Sequence, residues 1–131
     1  MTKKKEAPEA QAAAETPPDR VELAKRIAEA AADRQAIEVV LLDTRKVCSF
    51  ADYFIICSGE SNRQMEAIGQ AVAEVLKKEG VRSHHREGDA NSGWMLIDLG
   101  DIVVHIFSPF DREYYQLEKL WSKAPVVVKI I

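Results

Sequence analysis

Apolar residues recur three or four positions apart in three stretches of the chain, a spacing that places them on one face of an α-helix. The first stretch predicts a helix over about residues 19–33. The second predicts a helix that begins after Ser61, a suitable N-cap, and ends at Gly80. The third predicts one helix that begins at Ser108 and is ended by Ala124-Pro125, and the face predicted to be buried contains Tyr114, Leu117, Leu120 and Trp121.

Apolar and β-branched runs between these helices predict strands, at residues 37–42, 53–57, 94–99 and 102–107, with a short polar edge strand at 81–86. The run at 53–57 is apolar at every position, which is typical of an interior strand covered on both faces. A strand on each side of the second helix implies a crossover and some parallel pairing. The predicted fold is therefore mixed α/β, with a sheet of about five strands flanked by helices.

Gly100 and Asp101 separate the last two runs and predict a two-residue hairpin turn with glycine in the first position. This turn places residue 94 opposite 107, 96 opposite 105 and 98 opposite 103, so that Trp94, Asp98 and His105 share one face. Asp98 lies diagonal to His105. We expect the two side chains to form a structural hydrogen bond, and the alternative is a general acid–base pair.

The composition predicts three regions. Residues 1–18 contain no large apolar residue after Met1 and are expected to form a disordered tail, with Asp19 as the N-cap of the first helix. The folded domain is expected over residues 19–125. Residues 126–131 are apolar and are expected to form either a short edge strand or a C-terminal clasp.

The net charge of -3 does not favour binding to nucleic acid through its phosphates, so little direct contact with nucleic acid is expected. Cys48 and Cys57 do not form a CxxC pair and are typical of free thiols in a reducing compartment. The sequence has no secretory signal and no apolar run of about 18 residues, so no membrane contact and a cytoplasmic location are expected.

Two patterns suggest chemistry. Ser58 and Gly59 follow a strand and precede a helix, where free N–H groups bind anions, so a nucleotidyltransferase-like enzyme using Ser58, Gly59, Asp98 and His105 is one hypothesis. Such an enzyme needs a close pair of carboxylates for magnesium, and only Asp98 and Asp101 are near each other. No spacing of metal ligands supports a metal site, so neither a metal nor a cofactor is expected.

The second pattern combines aromatic residues with carboxylates, and for Trp94 and Tyr115 the alternatives are an interface residue and a plain core residue. Trp94 follows a flexible loop, and Tyr115 lies on the third predicted helix, pointing toward its flank. Aromatic side chains beside carboxylates are typical anchors of protein interfaces.

The segment WMLIDLGDIVVHIF at residues 94–107, followed by YYQLEKLW at 114–121, resembles the ribosomal silencing factor family, also called RsfS or Iojap-like proteins. Residues 52–59, Arg63-Gln64 and Glu87-Gly88 resemble the same family. The resemblance covers roughly residues 20–125, in order and with similar spacing.

The resemblance implies a nucleotidyltransferase-like fold without the catalytic acids, and a protein that is not an enzyme. It also implies a translation repressor that binds large-subunit ribosomal protein fourteen and blocks the joining of the two ribosomal subunits under nutrient limitation, as in stationary phase. The partner-binding residues implied by position are Glu87, Trp94, Asp98, Tyr115, Leu117 and Leu120. Two exposed edges, the short third strand and the C-terminal segment, make a homodimer a further expectation.

Overall fold

The computed structural model describes residues 20–81 and 84–131. Two expectations lie outside these residues, namely the disordered tail over residues 1–18 and the N-cap at Asp19. None of the helices in the described ranges is long and apolar enough to cross a membrane.

The described chain forms one mixed sheet with helices on both faces. The strands lie in the order β3-β4-β5-β2-β1-β6, and only the β2–β5 pair is parallel. The elements are α1 Arg20–Asp33, β1 Ile37–Asp43, β2 Tyr53–Ser58, α2 Asn62–Lys78, β3 His85–Glu87, β4 Trp94–Asp98, β5 Ile102–Phe107, α3 Pro109–Tyr115, α4 Leu117–Leu120 and β6 Val126–Ile130. A single 3-10 turn, Ala90–Ser92, precedes β4.

The mixed α/β fold is confirmed, and the sheet has six strands where about five were predicted. The additional strand is β6, which pairs antiparallel to β1, with Val39 opposite Ile130 and Leu41 opposite Val128. The C-terminal segment therefore forms a short edge strand, one of the two alternatives expected for residues 126–131. β-Branched side chains pack well on a pleated surface, which accounts for the strand at this position.

α1 and α2 cover one face of the sheet because each carries a continuous buried stripe. Leu23, Ile27 and Ala31 form the stripe of α1, and Met65, Ile68, Val72 and Leu76 form that of α2. α2 begins as predicted, since the Ser61 hydroxyl accepts a hydrogen bond from the Gln64 N–H at 3.0 Å. The interior strand β2 is buried at every position, also as predicted.

The opposite face of the sheet is only partly covered. Its buried centre consists of Val40, Leu42, Ala51, Phe54, Ile56, Val103, Phe107 and Ala124. Trp94, Leu96, Leu117 and Trp121 pack against this centre while remaining partly exposed. Since only the two short helices α3 and α4 and the segment before β2 lie here, large side chains remain accessible on this face.

The prediction of one long third helix is wrong. Gln116 adopts a left-handed backbone with φ 46°, and its N–H caps α3 by donating to the Arg112 carbonyl at 3.0 Å. The break turns the chain between α3 and α4, so the predicted apolar face does not form. Tyr114 and Leu120 are 70% and 72% exposed, while Leu117 and Trp121 pack against the sheet.

The hairpin register is confirmed. Trp94 pairs with Phe107, Leu96 with His105 and Asp98 with Val103. Gly100 has a φ of +95°, the positive value that a glycine in the first turn position supplies without strain. The register places Trp94 and His105 on the partly covered face of the sheet.

Candidate functional site

A continuous set of ring contacts crosses the partly covered side of the sheet. Trp94 packs on Phe107 and on Tyr115, with ring centroids 4.8 and 4.7 Å apart. His105 packs edge-on against Phe54 at 5.1 Å, and Phe54 meets Trp121 at 5.3 Å. We call this set the aromatic face; its members are Phe50, Phe54, Trp94, His105, Phe107, Tyr115 and Trp121.

Trp94 is held by its polar atom as well as by its rings. The indole N–H donates a hydrogen bond to Nδ1 of His105 at 3.2 Å. Because an indole nitrogen can only donate, Nδ1 accepts, and the proton of the neutral imidazole lies on Nε2. That buried Nε2 has no hydrogen-bond partner among the described residues. His105 therefore orients Trp94 through Nδ1, while its own Nε2–H donates no hydrogen bond to the described residues.

The hydrogen bond expected between Asp98 and His105 is not formed. The Asp98 carboxylate instead accepts from the Gly100 N–H at 2.7 Å, two residues ahead in the hairpin turn. Aspartate side chains readily make this local bond, which competes with the longer diagonal reach to His105. The histidine is buried as predicted, but its partner is Trp94.

Burial is the main influence on His105, and it lowers the pKa of the imidazole from its ordinary value of 6.5 to about 4. The negative charge of Asp98 acts in the opposite direction and is the weaker effect. An efficient general base has a pKa close to the working pH. A histidine that stays neutral down to about pH 4 fits a structural acceptor better than an acid–base catalyst.

The start of α3 is docked on the loop that precedes Trp94. The Ser108 N–H donates to the Gly93 carbonyl at 2.9 Å. The Ser108 hydroxyl donates to the Asp111 carboxylate at 2.8 Å and accepts from the Asp111 N–H at 3.1 Å. Gly93 has a φ of +83°, and the Asp111 carboxylate occupies the space that a Cβ would fill there. This joint fixes Tyr115 beside Trp94.

Arg112 fixes the other side of α3. Its guanidinium makes a bidentate contact with Glu118, both distances being 2.9 Å. It also donates to the carbonyls of Ile37 and Glu38 at 3.0 and 2.8 Å and to the Ser58 hydroxyl at 3.1 Å. These contacts use all five N–H groups of the side chain. We did not predict this role, because the partners on β1 and β2 are distant in sequence and leave no local signal.

The structure brings some of the predicted partner-binding residues together. Trp94 and Tyr115 are in contact, and Leu117 packs against the buried centre on the same side of the sheet. Glu87 lies opposite Leu96, so it and Asp98 belong to the same side of the sheet as Trp94. Leu120 is exposed on α4, with no ring contact or core contact.

The residues of the enzyme hypothesis are not brought together. Ser58 pairs with Phe107, whereas Asp98 pairs with Val103, four residues away along β5, or roughly 13 Å. A cavity of ≈ 640 Å³ opens beside Ser58, but every N–H of Arg112 at its wall is already engaged. The described residues contain no group of three or more side chains able to hold a metal ion.

The N–H groups after Ser58 are already engaged, since the Gly59 N–H donates to the Phe107 carbonyl at 3.0 Å and the Glu60 N–H to the Gln64 side chain at 2.7 Å. A Cβ at position 59 would meet the Met65 side chain at 2.9 Å, because the loop packs closely on the first turn of α2. The strand-to-helix loop at Ser58 and Gly59 thus packs against its own helix.

Replacing Gly93 with alanine should destabilise the fold more than replacing Gly100, by about 1–2 kcal/mol. Both glycines have a positive φ, but only the new methyl at position 93 would displace the Asp111 carboxylate, since nothing lies within 4 Å of position 100. Urea unfolding of Gly93→Ala and Gly100→Ala measures the difference. Equal losses would contradict the close joint described for α3.

The free energy of unfolding should fall as the pH is lowered from 6.5 toward 4, by about 3 kcal/mol from His105 alone. The unfolded chain takes up a proton on this histidine below 6.5, while the folded chain keeps the ring neutral down to about 4. Urea titrations across this pH range measure the free energy of unfolding. We expect it to change less with pH in His105→Leu than in the unaltered protein. Trp94→Phe, which removes the N–H donor but keeps an aromatic cover, should retain most of the slope.

An unchanged pH slope in His105→Leu would show that this histidine is not held neutral by burial.

Comparison with known proteins identifies the family of this chain. The sequence model described as "Ribosomal silencing factor during starvation" matches residues 17–130. Ribosomal silencing factor RsfS from Halalkalibacterium halodurans is 42% identical over 106 residues, covering 81% of this chain and 91% of that protein. RsfS from Bacillus subtilis is 40% identical over 102 residues, covering 78% and 86%.

A solved structure agrees with these relatives. The crystal structure of a Chromobacterium violaceum protein superposes with a TM-score of 0.74 at 37% sequence identity, covering 82% of this chain and 92% of that one. The matched range of the family includes all of β6, in agreement with the pairing of that strand in the sheet. The chain belongs to the ribosomal silencing factor family.

Proposed function

We propose that this protein binds a large-subunit ribosomal protein, the one numbered fourteen, through its aromatic face, and thereby blocks the joining of the large and small subunits. The observation that carries the proposal is the contact between Trp94 and Tyr115, two partly exposed rings 4.7 Å apart on a rigid support. Aromatic side chains held in place before binding lose little entropy on association and dominate interface energies.

Charge supports a basic protein as the partner. Asp98 lies on the hairpin and Glu113 on α3, and no cation of the described residues pairs with either of them. Arg112 is neutralised by Glu118. Complementary potentials steer association and select partners. An acidic rim suits a basic ribosomal protein and disfavours direct contact with RNA, whose phosphates it would repel.

The mechanism in this proposal is steric and makes or breaks no bond. A bound domain of this size occupies the surface that the small subunit would otherwise contact, and no cofactor is required. The separation of Ser58 from Asp98 supports this function over nucleotidyl transfer. We place the protein in the cytoplasm as a repressor of translation under nutrient limitation, in keeping with the starvation named in the family description.

A homodimer is compatible with this proposal. The exposed edge at β6, where Val126 and Ile131 are 57% and 95% exposed, is the surface on which we expect a second copy to pair. β6 lies four strands away from β4 in the sheet, so such pairing would leave Trp94 accessible.

Trp94→Ala and Tyr115→Ala should each weaken binding to isolated large ribosomal subunits by about tenfold to thirtyfold, because each removes one of the two accessible rings that carry the proposal. Co-sedimentation with separated large and small subunits measures the affinity. Gln70→Ala, on the exposed side of α2 across the sheet, is the matched control and should bind like the unaltered protein.

Circular dichroism shows whether each variant is folded. Folded Trp94 and Tyr115 variants that bind as tightly as the unaltered protein would contradict the assigned surface. A failure of the unaltered protein to bind large subunits would contradict the function.

A further inference from the structure

α3 carries a second aromatic pair that the fold itself does not use. Phe110 and Tyr114 lie four residues apart and stack with their ring centroids 6.3 Å apart and their planes at 13°. They are 76% and 70% exposed, and neither belongs to the buried clusters on the two faces of the sheet. Their loss should therefore cost the folded state little.

The pair is continuous with the aromatic face. Tyr114 meets Tyr115 edge-on at 5.0 Å, and Tyr115 contacts Trp94. Contiguous exposed apolar surface of this kind marks an interaction site more often than scattered single residues do.

The helix that presents the pair is short but firmly held. Pro109 lies in its first turn, Ser108 caps its N-terminus, and the Gly93–Asp111 joint fixes the cap. Arg112, between the two rings in sequence, is only 12% exposed and anchors the helix to β1 and β2. The outward direction of Phe110 and Tyr114 is therefore set before any partner arrives, which lowers the entropy cost of binding.

The surroundings of the pair indicate the chemistry of its partner. Glu113 is exposed on α3 between the two rings in sequence and pairs with no cation among the described residues, while the charge of Arg112 is fully engaged. An apolar surface with a basic rim complements this arrangement in both shape and charge.

We propose that Phe110 and Tyr114 form a second anchor for the same basic ribosomal protein, extending the aromatic face along α3. This inference rests on the proposed function. The anchor was not among the predicted partner-binding residues, because Tyr114 was assigned to the buried face of a longer helix and Phe110 was not assigned at all.

The test compares the double variant Phe110→Ala/Tyr114→Ala with the unaltered protein in co-sedimentation with large ribosomal subunits. We expect at least a tenfold loss of affinity and an unchanged urea midpoint. Ile131→Ala is the matched control, since it removes exposed apolar surface at the far edge of the sheet and should leave the affinity unchanged. Tyr114→Gln serves as a milder variant if the double variant proves unstable, with an expected loss of about threefold.

The outcomes separate the two proposals. If the unaltered protein binds and the folded variants bind equally well, the second anchor is wrong and the proposed function stands. If the unaltered protein does not bind large subunits, the proposed function is wrong, and the second anchor, which rests on it, is wrong as well. If the double variant changes only the mass of the free protein in light scattering, the pair belongs to a contact between two copies of the chain, and the inference is overturned.

A charge variant tests the basic rim. Glu113→Lys should weaken binding to large subunits, with a larger loss at low salt than at high salt, because the screening of charges by salt would hide the repulsion. Binding that is equal to that of the unaltered protein at low salt would overturn the assignment of a basic partner surface next to α3.

Discussion

The guanidinium of Arg112 is the contact on which the geometry of the aromatic face depends. It joins α3 to the ends of β1 and β2 through Ile37, Glu38 and Ser58, and it joins α3 to α4 through Glu118. The helices α3 and α4 are too short to be stable on their own. Their position is therefore imposed by this partly buried cation and by the cap at Ser108, and Tyr115 stays beside Trp94 as a result.

The two faces of the sheet have different roles in the structure. α1 and α2 cover one face, whose core is mainly aliphatic, and this apolar burial stabilises the domain. On the other face several large rings remain partly exposed. One hydrogen bond, from the Trp94 indole N–H to His105, fixes the orientation of Trp94. The buried rings of the aromatic face, Phe54 and Phe107, belong to the core on this side of the sheet, whereas the partly exposed Trp94 and Tyr115 are available to a partner.

Much of the fold follows from local signals. The buried strand β2, the cap at Ser61 and the hairpin turn at Gly100 each depend on residues a few positions apart, and these were predicted correctly. The third helix was predicted wrongly, because the break at Gln116 accompanies the contact between Arg112 and Glu118, which no helical spacing signals. The histidine partner was also missed, because the choice between Asp98 and Trp94 depends on competition from the turn N–H of Gly100.

The central claim is that binding through the aromatic face obstructs the joining of ribosomal subunits. Light scattering of purified large and small subunits, mixed with increasing amounts of this protein, measures joining directly. The account predicts that joining falls in proportion to the fraction of large subunits that carry the protein. Normal joining of large subunits that are saturated with the protein would contradict it.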